Sequence, residues 1–132
     1  DCAAGTDVNG ECTATINNAD AGVFTADAST SISVNGVPFV LTTDGVGENS
    51  DSAVKTYVDA KISIGNDGVN EINDPHTFTG HVYVNNGSGW ANAPVGTQID
   101  FAIVSGPGSL SVPNCLTAGG TGSCTVDLTS VV

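Results

Sequence analysis

Arginine and methionine are absent from this chain, and lysine occurs only as Lys55 and Lys61. Set against 14 Asp and Glu, two lysines leave a formal net charge of −12. No basic patch can be assembled from them, which excludes phosphate-driven binding to nucleic acid and disfavours docking on an anionic membrane surface. Charged residues are scarce overall, at 12%. No apolar run approaches the ~20 residues of a membrane-spanning helix, and no signal peptide is visible. Without an initiator methionine, the expectation is a processed chain or a piece of a longer one. The 132 residues are enough for one domain with a core and too few for two ordinary ones. What is abundant is Val, Thr, Ser, Asn and Gly, the composition of an all-β extracellular domain. It names no reaction.

Four cysteines are present: Cys2, Cys12, Cys115 and Cys124. An even number in a chain of secreted character reads as disulfides, with three connectivities open. The two local pairs, Cys2–Cys12 and Cys115–Cys124, are expected; each closes a loop of about ten residues, for roughly 2–3 kcal/mol by chain entropy. Zinc would require CxxC-like spacing, commonly with a histidine nearby, and neither is found.

The cysteine pairs also mark a repeat. Gly10-Glu11-Cys12-Thr13-Ala14-Thr15-Ile16-Asn17-Asn18 matches Gly122-Ser123-Cys124-Thr125-Val126-Asp127-Leu128-Thr129-Ser130 at a spacing of 112 residues. Asp1-Cys2 and Asn114-Cys115 match as well, one residue out of step. The structural unit is therefore about 112 residues long, about 20 residues occur twice, and the pattern is that of a tandem array.

Alternation of apolar and polar residues, the signal of half-buried strands, runs along almost the whole chain. Val58, Ala60, Ile62 and Ile64 share a face in 57–64, as do Phe78, Val82 and Val84 in 77–84 and Ile99, Phe101 and Ile103 in 97–104. Cys124, Val126 and Leu128 repeat the pattern of Cys12, Ala14 and Ile16. A longer row, Phe24, Ala26, Ala28, Ile32 and Val34, ends at Val34-Asn35-Gly36-Val37, a strong hairpin signal, and Val37, Phe39 and Leu41 return beside it. Helix is confined to at most a turn near Ser50–Lys55.

In repeat order the strands are 57–64, 76–84, 97–104, a short piece near 109–113, 123–132, 22–34 and 37–43. Seven short strands suit an immunoglobulin-like β-sandwich. The chain presents it out of phase: 1–43 carries the last strands of one repeat, 44–56 is a linker, and 57–132 carries the first strands of the next. A sandwich without its final hairpin has open edges and a cut core. Completion can come from a continuing tandem polypeptide, from strands exchanged between subunits, or from the hairpin folding back through the linker, which spans at most roughly 40–45 Å. The first two both yield a thread of domains, and a thread is the expectation.

The segment Ala53-Val54-Lys55-Thr56-Tyr57-Val58-Asp59-Ala60-Lys61-Ile62-Ser63-Ile64, with Asn70-Glu71 and Asp74-Pro75-His76-Thr77-Phe78-Thr79, resembles the tandem bacterial immunoglobulin-like repeats of large surface proteins, related to the invasin and intimin type. Ala93-Pro94-Val95-Gly96-Thr97 and Ser105-Gly106-Pro107-Gly108 fit the same pattern, so the likeness covers the chain in permuted order. The resemblance implies a spacer or binding role at the cell surface, outside the cell, and no catalysis. No adhesin-tip or lectin motif accompanies it.

Candidate chemistry is sparse. His76 and His81, the two histidines, fall on opposite faces of one strand and cannot share a metal there; His76 is expected to bond near the Asp74-Pro75 turn. No serine stands in a Gly-x-Ser-x-Gly turn, so an enzyme is not expected. Asp44, Glu48 and Asp51 in the linker, with Asp67, Glu71 and Asp74 beyond the next strand, are the oxygen donors that a Ca²⁺ ion at a domain junction would need, although Asp and Asn are also ordinary turn formers. Lys61 lies on the outward row of its strand, which argues against a buried Lys–Asn isopeptide bond. Trp90 is expected to pack at the base of a hairpin, the alternative being an exposed platform for a sugar; Asn86-Gly87-Ser88 before it is a glycosylation sequon that reads as a turn. The function expected is a structural subunit or repeat of an extracellular filament or stalk, its partners copies of itself, with no cofactor unless Ca²⁺. The alternative is an adhesin module recognising a glycan or host protein.

Overall fold

Strands need partners to satisfy their backbone groups, and pairing rather than residue pattern decides which segments of this chain become strands. The computed structural model describes residues 2–130. Among them are eleven strands, no α-helix, and one 3₁₀ turn at Cys2–Ala4. The fold is all-β and consistent with a β-sandwich. The helical turn expected near Ser50–Lys55 does not form, because Ala53 onwards is extended.

The first half forms two separate two-stranded ladders. β1 (Gly22–Ala26) pairs antiparallel with β4 (Ala53–Tyr57), and β2 (Ser29–Val34) pairs with β3 (Val37–Thr42). The β2–β3 turn carries Asn35 at φ 52° and Gly36 at φ 84°, the positive angles a two-residue hairpin of this twist requires. The expected long strand 22–34 is thus broken at Asp27-Ala28, where Ala28 N–H donates to the Thr43 hydroxyl. The expected linker is also shorter in effect. Gly45 N–H donates to the Ser50 carbonyl and closes a turn, and the chain then enters β4.

The second half holds the larger sheet, in the order β5 (Asp59–Gly65), β6 (His76–Asn85), β11 (Ser123–Thr129) and β9 (Ser109–Leu110), with β7 (Trp90–Asn92) on the distal end of β6. β8 (Gln98–Asp100) pairs with β10 (Asn114–Leu116) as a separate two-stranded piece. The register places Ile62 opposite Val82, Ile64 opposite Gly80, and Val126 opposite Phe78, so these share the inward face. Gly80 is required there: a Cβ would lie 2.8 Å from the Phe101 ring and 3.0 Å from Ile99. No strand of β1–β4 is paired with any of β5–β11. The fold-back route to completion is therefore not taken.

The cysteines form the two local disulfides, with Cα atoms 5.1 Å apart for Cys2–Cys12 and 6.0 Å for Cys115–Cys124. The repeat, however, does not fold alike in its two copies. Residues 123–129 are a central strand between β6 and β9, whereas the matching 11–17 form no strand. The residue pattern is the same; a ladder partner is what differs. Asp1, Val131 and Val132, which belong to the expected repeat and its last strand, lie outside the described residues.

Candidate functional site

The inward face of the larger sheet is built but not covered. Among the described residues only Ala93, Ile99 and Val126 are buried apolar side chains. Ile62 and Ile64, which point inward from β5, remain 66% and 64% exposed. Opposite them stand β8 and residues 101–105 after it. Between lies an open apolar groove of about 650 Å³, walled by Ile62, Ile64, Phe78, Ile99, Phe101 and Ile103. Phe101 N–H donates to the Pro113 carbonyl, and beyond it 102–104 pair with no strand. The predicted strand 97–104 is therefore cut to three residues because its other edge has no neighbour.

The surface area measures the same deficit. The chain exposes 9579 Å², whereas a folded monomer of this mass exposes about 6,400 Å². Part of the excess of about 3,000 Å² lies on the irregular residues near the start, and part on the groove and the β2–β3 hairpin. The hairpin puts Ile32, Val34, Val37 and Phe39 on one face, with Ile32 opposite Phe39 and Val34 opposite Val37; Phe39 is 45% exposed. The alternation makes this face readable from sequence.

The acidic residues do not gather. Asp44 accepts from Val46 N–H and the Asn49 side chain, closing the 44–50 turn, and Asp51 packs against Gly45 in that turn; Glu48 lies within it. Asp67, Glu71 and Asp74 border a different, open cleft beside His76, where Asn70 donates to Asp74 and to the Pro75 carbonyl. Among the described residues, no three His, Cys, Asp or Glu side chains converge closely enough to hold a metal ion. The Asp44 and Asp74 carboxylates accept hydrogen bonds within their own turns, as Asx geometry makes them apt to do.

The histidines are also accounted for locally. His76 Nε2 meets the Asn66 carbonyl rather than the Asp74-Pro75 turn. His81 stacks on Tyr83 at 3.9 Å between ring centroids and bonds Asn92 Oδ1 at 2.9 Å. On that outward face Lys61 Nζ sits 4.3 Å from the Trp90 ring centre and 5.1 Å from that of Tyr83. Trp90 is 45% exposed, contrary to the expectation that it packs into the core: β7 is an edge segment on the distal end of β6, so its indole reaches the outer face. Lys61 is thereby occupied by aromatic rings. Asn86-Gly87-Ser88 is a turn, with Asn85 accepting from the Gly87 and Gly89 N–H groups and Asn86 from Ser88. Compared with protein-family models, with curated proteins and with solved structures, the chain matches none.

Proposed function

We propose that this chain is a structural unit of an extracellular filament or stalk, made of immunoglobulin-like repeats joined end to end. The observation that carries the reading is the uncovered groove, which opens where an out-of-phase repeat would lack its last hairpin. Strand order supports the immunoglobulin-like identity. If β5, β6, β8, β9 and β11 are the first five strands in sequence, the larger sheet runs first, second, fifth, fourth, the order of the ABED sheet of constant-type domains, with the third strand in the other sheet. β10, which returns to β8 after β9, has no counterpart in that order. Two disulfides and the acidic surface suit an oxidising location outside the cell.

Imaging the native material together with its reduced, denatured mass tests this. Threads with a regular domain-sized period are expected, and discrete particles would overturn the reading. A mass near 13 kDa would assign the joints to strand exchange; a many-fold larger mass would assign them to a tandem polypeptide.

The half-exposed Trp90 favours a second reading, an adhesin module whose indole stacks on a sugar ring. Lys61 already covers part of the ring, so a glycan would have to displace it or use the remaining area. A saturable change in tryptophan fluorescence on titration with a glycan would support this reading, and no response across a glycan panel would remove it.

A further inference from the structure

We propose that the groove between the larger sheet and β8 receives the 22–43 segment of a second copy of this chain, seating the apolar face of its β2–β3 hairpin. The inference rests on the repeat reading above and adds the identity of both contact surfaces. Four observations converge on this occupant.

The first is phase. Residues 11–17 match 123–129, so the stretch that follows the former, 22–43, is the one whose place in the unit comes after β11. In the structure β11 already fills the position shared by both copies. The groove beside β8 is left open, and residues 11–17 are left outside any ladder.

The second is shape and polarity. The groove is walled mainly by aliphatic and aromatic side chains. The hairpin offers Ile32, Val34, Val37 and Phe39 on a single face, bordered in its own chain by the Cys2–Cys12 loop near Ile32 and Leu41. Residues 102–104, which follow β8 and have no ladder partner, offer the incoming strand backbone groups to pair with, as in strand addition.

The third is charge. In a chain of net charge −12, residues 28–43 carry no Asp, Glu, Lys or Arg. The stretch 75–126, which supplies most of the groove wall, carries Asp100 as its single charged residue, so hairpin and groove can approach one another at little electrostatic cost.

The fourth is area. In a head-to-tail thread each chain buries one groove and one hairpin, together the area of one interface. Groove and hairpin account for part of the excess of about 3,000 Å² over a compact monomer, which leaves room for a contact of the roughly 1,200–2,000 Å² that a stable interface buries. Groove and hairpin are different surfaces, so the contact is heterologous and does not close on itself.

The test uses the full 132-residue chain in three forms: wild type, a donor variant (Ile32→Asp with Phe39→Asp) and an acceptor variant (Ile62→Asp with Ile103→Asp). Sedimentation velocity should show open-ended growth with concentration for the wild type and complete loss of growth for each variant alone. Mixing the two variants should restore association only as far as a one-to-one pair, since one intact groove and one intact hairpin remain between them. That pair is also the folding control. If a double variant loses its strand circular dichroism, the single Phe39→Asp or Ile62→Asp form replaces it. A wild type that stays monomeric, a symmetric dimer, or growth that survives both variants would overturn the proposal. The filament reading would fall separately, only if the native material shows no threads.

Discussion

Thr117 is 2% exposed, and its environment fixes a turn. Its hydroxyl donates to the Pro94 carbonyl at 2.7 Å and accepts from Thr97 N–H at 3.0 Å. Thr117→Val keeps the shape and removes both bonds, while the Pro94 carbonyl still accepts from the Thr97 hydroxyl and N–H, so a loss of about 0.5–1.5 kcal/mol is expected in denaturant unfolding. Gly80→Ala should also destabilise, because the added methyl meets Phe101 and Ile99 where the two layers approach. Asp7 offers a pH marker: its carboxylate accepts from Glu11 N–H and Asn9 N–H, which lowers its pKa below the usual 3.8. The carboxylate-held turn is therefore in place above that value and is lost as pH falls through the lowered one. An NMR titration should give Asp7 a midpoint below 3.8, and Asp7→Asn should leave the turn's amide shifts without that acid transition. Sequence reading missed Thr117, since threonine in a β-rich chain carries no mark of burial. It misplaced Trp90 because an indole at a strand end can turn to either face.

At the scale of elements, alternation located the β5, β6, β8 and β11 regions and the β2–β3 hairpin, and the cysteine spacing located both disulfides. What alternation could not locate were the breaks. Val58 divides 53–65 into two strands because Ala53–Tyr57 pairs with β1 while Asp59–Gly65 pairs with β6, a choice made by partners distant in sequence. The short β7 was not anticipated for the same reason. The two disulfides should differ in weight despite similar loops. Cys124 lies in β11 of the larger sheet and Cys115 in β10 of the separate β8–β10 pair, so this disulfide ties the two pieces together. Replacing both by serine should cost about 2–3 kcal/mol. Cys2 and Cys12 close a loop outside every ladder, and their replacement should leave the thermal midpoint nearly unchanged.

For the whole molecule, the proposed reading joins two observations, the 112-residue repeat in the sequence and the uncovered groove in the structure. Asp44, Glu48 and Asp51 lie in one turn and Asp67, Glu71 and Asp74 beside another cleft, a separation that composition alone could not reveal. An uncovered face of this size should bind a hydrophobic dye in dilute solution and release it on assembly. The account rests most on one point, that the edge at 102–104 is completed from outside the chain's own fold. Amide hydrogen exchange at these residues, compared between the dilute chain and assembled threads, addresses it directly. Fast exchange when dilute and at least tenfold slowing in threads is the predicted result. Protection already present in the dilute monomer, or exchange that stays fast in threads, would contradict it.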